Sequence, residues 1–205
     1  PLATLSTITS KIKIKYELDM YSKEAFDTDY EKISSVIKHL SQTIEYFRNY
    51  FKPKISSKEN FIQINNSLKN IIEPLCEKYN IKLLVDNEND EKILIDSRID
   101  QVLLNIYKNS MEACFEKNKE GLIKTKIYLL DDFVNIEISD NGGGIDENNI
   151  DKIFEPYYST KNKNGTGLGL YMCKNIIENH LEGFLTVENI QDGVNFKIKL
   201  KKEME

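Results

Sequence analysis

At 205 residues, 40% hydrophobic and 30% charged, the chain can bury one good core and a smaller element beside it, which predicts one or two folded domains. A formal net charge of −5 and a pI near 5.3 argue against binding along a nucleic-acid backbone, which needs a basic surface. No apolar run reaches bilayer-spanning length and no signal-type segment opens the chain, so a soluble cytoplasmic fragment without a membrane segment is expected.

Residues 1 to about 53 read as two helices and a turn. Leu2, Leu5, Ile8 and Ile12 form one stripe. Ile33, Ile37, Leu40, Ile44, Phe47 and Phe51 form another, stepping by four and three as in a coiled-coil seam. Asp27-Thr28-Asp29 offers capping side chains between them, and Pro53 is a stop. The second helix would be on the order of 35 Å long, too long for two narrow stripes to shield alone. A four-helix-bundle homodimer is therefore predicted.

The polar stretch Lys54 to Asn60 reads as a hinge, giving domains 1–53 and 54–205. A helix through Ile64, Leu68, Ile71, Ile72 and Leu75 follows, then strand-like runs at Ile81 to Val85 and Ile93 to Ile95. Another helix runs from Ile99 to Phe115. Strands at about Ile123 to Leu130 and Phe133 to Ser139 come next, then a helix from after Gly165 to about His180. Strands near Phe184 to Val187 and Val194 to Leu200 complete the chain. Helices interleaved with mixed strands predict an α/β two-layer sandwich.

Cys76, Cys114 and Cys173 lack paired spacing and read as buried reduced thiols. His39 and His180 have no partner at zinc-ligand spacing.

The chemistry-bearing residues cluster in the second domain. Asn105 and Asn109, one turn apart on the Ile99 helix, present carbonyl oxygens to a hard cation without adding charge, which suits magnesium held mainly by phosphates and water. Asp140-Asn141-Gly142-Gly143-Gly144-Ile145 ends a strand in a carboxylate and bare backbone, suited to a flat ligand lying close against the main chain. Gly165, Gly167 and Gly169, with Thr166 and Leu168 between them, open a helix whose free N–H groups favour phosphate. Between the glycine runs, residues 151–164 couple apolar anchors such as Phe154 to a basic stretch, as a lid over a polyphosphate does, with Lys161 its best-placed cation.

Asn-x-x-x-Asn, Asp-x-Gly-x-Gly, Phe-Glu-Pro-Tyr-Tyr and Gly-Thr-Gly-Leu-Gly-Leu, in this order, closely resemble the nucleotide-binding domain of sensor histidine kinases over about residues 60 to 200. The resemblance implies the ATP-binding sandwich shared with gyrase, Hsp90 and MutL, an α+β fold of the histidine-kinase type preceded by that family's dimerisation and phosphoacceptor hairpin. It implies ATP and Mg2+ as cofactors, with Asn105 and Asn109 at the metal and phosphates. Asp140 would read adenine beside Gly142 and Gly144. Phe154 would belong to the lid, and Gly165, Gly167 and Gly169 would surround the phosphates. It further implies transfer of the terminal phosphoryl group to a histidine and relay to an aspartate of a response-regulator receiver domain.

Three positions depart from the family pattern. The acceptor histidine lies five residues before a Pro-Leu pair, here Pro1-Leu2, so no catalytic acceptor is expected within the chain. His39 stands on the second helix, off its seam, and reads as a surface residue. Glu112 replaces a common phosphate-directed lysine, leaving Lys108 or Lys161 to supply charge, and His180-Leu181-Glu182-Gly183 replaces a His-Gly-Gly turn. Two other readings use the same pocket: an ATP-hydrolysing machine of the gyrase and Hsp90 kind, and a non-catalytic nucleotide-binding dimerisation module. The first needs a glutamate base where Asn105 stands.

Overall fold

The computed structural model describes residues 2–18, 20–51, 57–87, 93–117, 120–160 and 166–202. They fall into two compact units, one built on residues 1–52 with 159–166 and the other on residues 53–158 with 167–205.

In the first unit, α1 (Leu2–Glu17) and α2 (Lys23–Phe51) form the expected hairpin. The turn is earlier than the sequence suggests. Ser22 caps α2, its Oγ accepting the Ala25 N–H at 3.2 Å, so Asp27, Thr28 and Asp29 lie inside the helix instead of before it. Thr28 spends its hydroxyl on the Glu24 carbonyl at 2.9 Å, as an interior helical threonine does. Starting at Lys23 lengthens α2 to 29 residues, about 44 Å instead of about 35 Å. Asp29 is buried and faces Lys15 of α1, with 3.9 Å between Oδ2 and Nζ, so the two helices meet through a charge pair as well as through apolar residues. No described helix is long and apolar enough to cross a membrane.

The second unit is built on a five-stranded sheet. Its strands are β2 (Ile81–Asn87), β4 (Gly121–Leu130), β5 (Phe133–Asp140), β6 (Phe184–Ile190) and β7 (Gly193–Lys201), ordered β2-β4-β5-β7-β6. Only the β2/β4 pair is parallel. The chain alternates strictly along β5: Val134, Ile136, Ile138 and Asp140 are buried, while Asn135, Glu137 and Ser139 face the more open side. α3 (Phe61–Lys78), α4 (Ile99–Glu116) and α5 (Gly169–Asn175) cover the buried face, which makes the two-layer α+β sandwich. The core joins Ile99, Val102, Leu103 and Ile106 of α4 to Ile123, Ile127, Ile136 and Ile198 of the sheet.

Three details differ from the sequence reading. Residues 54–56 of the expected hinge lie outside the described residues, but Lys58–Asn60 is a strand, β1, paired antiparallel with β3 (Leu94–Asp96) in a separate two-stranded sheet. In α3 the buried stripe is Phe61, Ile64, Leu68, Ile72 and Cys76, and Ile71 and Leu75 stand exposed on its shoulder. A helical period admits only one residue per turn to the centre of the buried stripe. The last helix begins at Gly169 and finishes as one π-helical turn, Ile176–His180.

Candidate functional site

Asp140 ends β5 and is only 5% exposed. Its carboxylate is held from two sides: the Ser110 hydroxyl on α4 donates to Oδ2 at 2.7 Å, and the Gly142 N–H donates to Oδ1 at 2.9 Å. Burial pushes the carboxyl above its ordinary value, and hydrogen bonds from Ser110, Gly142 and the Val194 main chain pull it back.

The bare backbone after Asp140 is required by what surrounds it. A Cβ at Gly142 would lie 2.5 Å from Ala113 Cβ, so α4 packs directly on this main chain. Gly144 takes a φ of 82°, in the left-handed region. The loop is then tied down by distant residues. Asn189 of β6 accepts the Ile145 N–H at 2.8 Å and donates to the Ile145 carbonyl at 2.7 Å, and the Gly143 N–H donates to the Asp192 carbonyl at 2.8 Å. Asn141 turns inward, where Oδ1 accepts the Leu122 N–H at 2.8 Å and the Cys114 thiol at 3.3 Å.

Asn105 and Asn109 sit half-buried one turn apart on α4, as their spacing requires. Asn105 faces the start of α5: its Oδ1 would stand 3.7 Å from a Cβ on Gly169, and its side chain hydrogen-bonds the Cys173 thiol, which burial pushes up to about 12. A bond that favours the thiolate is donated by the Asn105 amide N–H, so it does not occupy Asn105 Oδ1.

Between the two glycine runs, Ile153 is buried and the half-buried Phe154 ring carries Lys174 Nζ 5.2 Å from its centroid. The Tyr157 N–H donates to the Gly167 carbonyl at 2.9 Å, joining this segment to the second glycine run. Gly167 has a φ of 65°, and a Cβ there would fall 2.3 Å from the Tyr157 carbonyl carbon, so glycine is obligatory. Leu168 is a core residue at 1% exposure, which leaves only its main chain for a ligand, and Thr166 is buried. Lys161 and Gly165 lie outside the described residues.

The fold thus places Asn105, Asn109, Asp140, Gly142, Gly144, Phe154, Gly167 and Gly169 in one unit, along α4, at the end of β5 and around the start of α5. Ser110, Asn189 and Asp192 are supports that the sequence reading missed. Ser110 had a signal: a hydroxyl four residues after Ile106, on the apolar face of the helix, must find a buried partner. Asn189 and Asp192 had none, because they act across a turn far along the chain.

Comparison with known proteins fixes the family. Residues 94–204 match the family described as histidine kinase-, DNA gyrase B-, and HSP90-like ATPase. Sporulation kinase B of Bacillus subtilis is 31% identical over 183 residues, covering 86% of this chain and 41% of its own length. Sensor protein FixL of Bradyrhizobium diazoefficiens is 32% identical over 103 residues, covering 50% of this chain and 20% of its own. The chain therefore spans less than half the length of either relative. The catalytic domain of histidine kinase ThkA superposes with a TM-score of 0.64 at 29% identity, over 72% of this chain and 95% of that one. ThkA in complex with response regulator protein TrrA matches with a TM-score of 0.68 at 24% identity, over 97% of this chain and 58% of that one. With Asp140, its glycines and the α4 asparagines arranged in that fold, the chain belongs to the histidine kinase-, DNA gyrase B- and HSP90-like ATPase family, in its sensor histidine kinase branch.

Proposed function

We propose that the sandwich binds ATP with Mg2+ and presents the terminal phosphoryl group to a histidine imidazole, as the kinase core of a two-component system. The observation that carries this reading is the orientation of Asp140: a buried carboxylate with donors on both oxygens is fixed to accept a further hydrogen bond, such as one from the adenine amino group. Gly142 and Gly144 keep the pocket wall free of side chains. Phe154, Gly165, Thr166, Gly167, Leu168, Gly169 and Lys161 belong to the lid and phosphate side, where N–H groups at the start of α5 and a lysine offset phosphate charge.

Asn105 and Asn109 are the metal donors of this reading through their amide oxygens; the contact with Cys173 uses the Asn105 N–H and does not occupy its Oδ1. Both are neutral oxygen donors of the kind Mg2+ accepts when phosphates provide the charge. Mg2+ held by these two residues would supply charge neutralisation at the phosphates. The chain contributes alignment of donor and acceptor, which accounts for most of the acceleration in such transfers. Asn105 carries no basic group to activate water, which speaks against the ATP-hydrolysing reading.

In this proposal the domains meet near residue 54, and the hairpin pairs with a second copy. The kinase core works in the cytoplasm and passes phosphate to a response-regulator receiver domain. ThkA, solved in complex with response regulator protein TrrA, supports that partner by analogy. The pocket is tested by nucleotide binding: Asp140→Ala is expected to weaken ATP affinity by about 100-fold or more, and equal affinity in the two proteins would end the assignment.

A further inference from the structure

Asp140 has two ways to meet a purine. Ionised, it accepts a hydrogen bond from a 6-amino group; protonated, it can donate one to a 6-oxo group. Burial favours the protonated form, so a buried carboxylate needs specific donors to remain an acceptor.

We infer that Ser110 is a positioning residue for purine recognition: its hydroxyl, with the Gly142 N–H on the other oxygen, keeps Asp140 an acceptor, so that the pocket selects a 6-amino purine over a 6-oxo purine. The inference rests on the adenine reading of Asp140. Ser110 is 1% exposed and its Oγ lies 2.7 Å from Oδ2, while the Gly142 N–H takes Oδ1 at 2.9 Å. A proton on either oxygen would displace or reverse one of these bonds. Val194 of β7 adds a third donor from the main chain. The geometry is rigid on both sides, because Ser110 lies in the middle of α4 and Gly142 is pressed against Ala113.

The other groups around the carboxylate leave this role to Ser110. On α4, Cys114 is the titratable neighbour, and its thiol is pushed up by burial and then by Asp140. Lys117, exposed at the end of the same helix, lies beside Gly143, where a Cβ would meet its Nζ at 2.3 Å. β4 opposes Asp140 with Ile123, and β7 and the preceding turn bring the Val194 main chain and the Asp192 carbonyl. Among these described neighbours, Ser110 is the side chain that donates to Asp140.

The test measures ATP and GTP affinity across pH for the wild type, Ser110→Ala, Ser110→Thr and Asp140→Ala. Carbon NMR follows the Asp140 carboxyl in the nucleotide-free protein in parallel. In Ser110→Ala, ATP affinity is expected to fall about tenfold while GTP affinity hardly changes. The Asp140 titration should move to higher pH, so that ATP binding is lost at a higher pH than in the wild type. Ser110→Thr keeps the hydroxyl and should keep the wild-type preference and titration. Unchanged preference and titration in Ser110→Ala would overturn the inference. So would a Thr variant that behaves like Ala, since the loss would then come from packing. If Asp140→Ala leaves ATP affinity intact, the adenine reading fails and takes this inference with it; a silent Ser110→Ala beside a damaging Asp140→Ala removes the Ser110 role alone.

Discussion

The sandwich and the hairpin handle the same kind of residue in opposite ways. Ile123, Ile127, Ile136 and Ile138 are at 0% exposure in the sheet, sealed by α4 and its neighbours. On α2, Ile37 and Ile44 of the predicted seam are 51% and 64% exposed, and Ile14, Tyr16, Phe26 and Tyr30 add to the open apolar surface of the hairpin. A full hydrophobic stripe inside one chain makes a self-contained core, whereas the same stripe on a two-helix hairpin is half a core. One unit should owe its stability to its own packing, and the other to a second copy.

The sharpest way to break that contrast is in the sheet. Ile136→Ala on the central strand β5 is expected to cost about 2–5 kcal/mol and to lower the sandwich melting temperature by roughly 5–15 °C, leaving the association state unchanged; calorimetry with sedimentation reads both. The converse change, Ile37→Glu with Ile44→Glu, should weaken self-association by on the order of 100-fold in analytical ultracentrifugation and leave the sandwich transition in place. Loss of the sandwich transition in that variant would show that the two units are not independent.

A smaller effect follows from the thiols, all of which belong to the sandwich. Burial pushes Cys76 up to about 11 and Cys173 to about 12, from an ordinary value of 9.0. A raised folded-state value means that the folded protein keeps a proton the unfolded chain gives up. The corresponding stability is complete below pH about 9 and is lost as pH rises through the folded-state values. Melting of the sandwich should therefore fall between pH 9 and 12, while helix content of the hairpin, which has no cysteine, should not follow it.

Local patterns in the sequence located most of this architecture, and its gaps share a cause. α4, β4 and β5 are long and strictly periodic, so their buried faces could be read directly, and the acid followed by glycines marked the end of β5 as a site. The start of α2 was misplaced because Asp27 to Asp29 looks like a cap, whereas Ser22 reached the free N–H groups first. β1 was invisible: Lys58-Glu59-Asn60 has no apolar alternation and exists only because Leu94–Asp96 supplies its ladder. The supports of Asp140 were hidden for the same reason. The motif names the carboxylate, but the groups that orient it come from α4, β7 and the turn before it, and only the fold reveals that meeting. The contact of Asn105 with Cys173 is hidden likewise, because spacing alone could not bring α5 to α4.

The strand order has a consequence for how this protein is made. β7 follows β6 along the chain, yet it lies between β5 and β6, and Val194 and Asp192 complete the surroundings of Asp140. A chain emerging from the ribosome can form the hairpin and the β4–β5 pair early. It cannot complete the surroundings of Asp140 until β7 has been released and inserted. A chain halted before β7 would hold the Asp140 carboxylate through Ser110 and Gly142 alone.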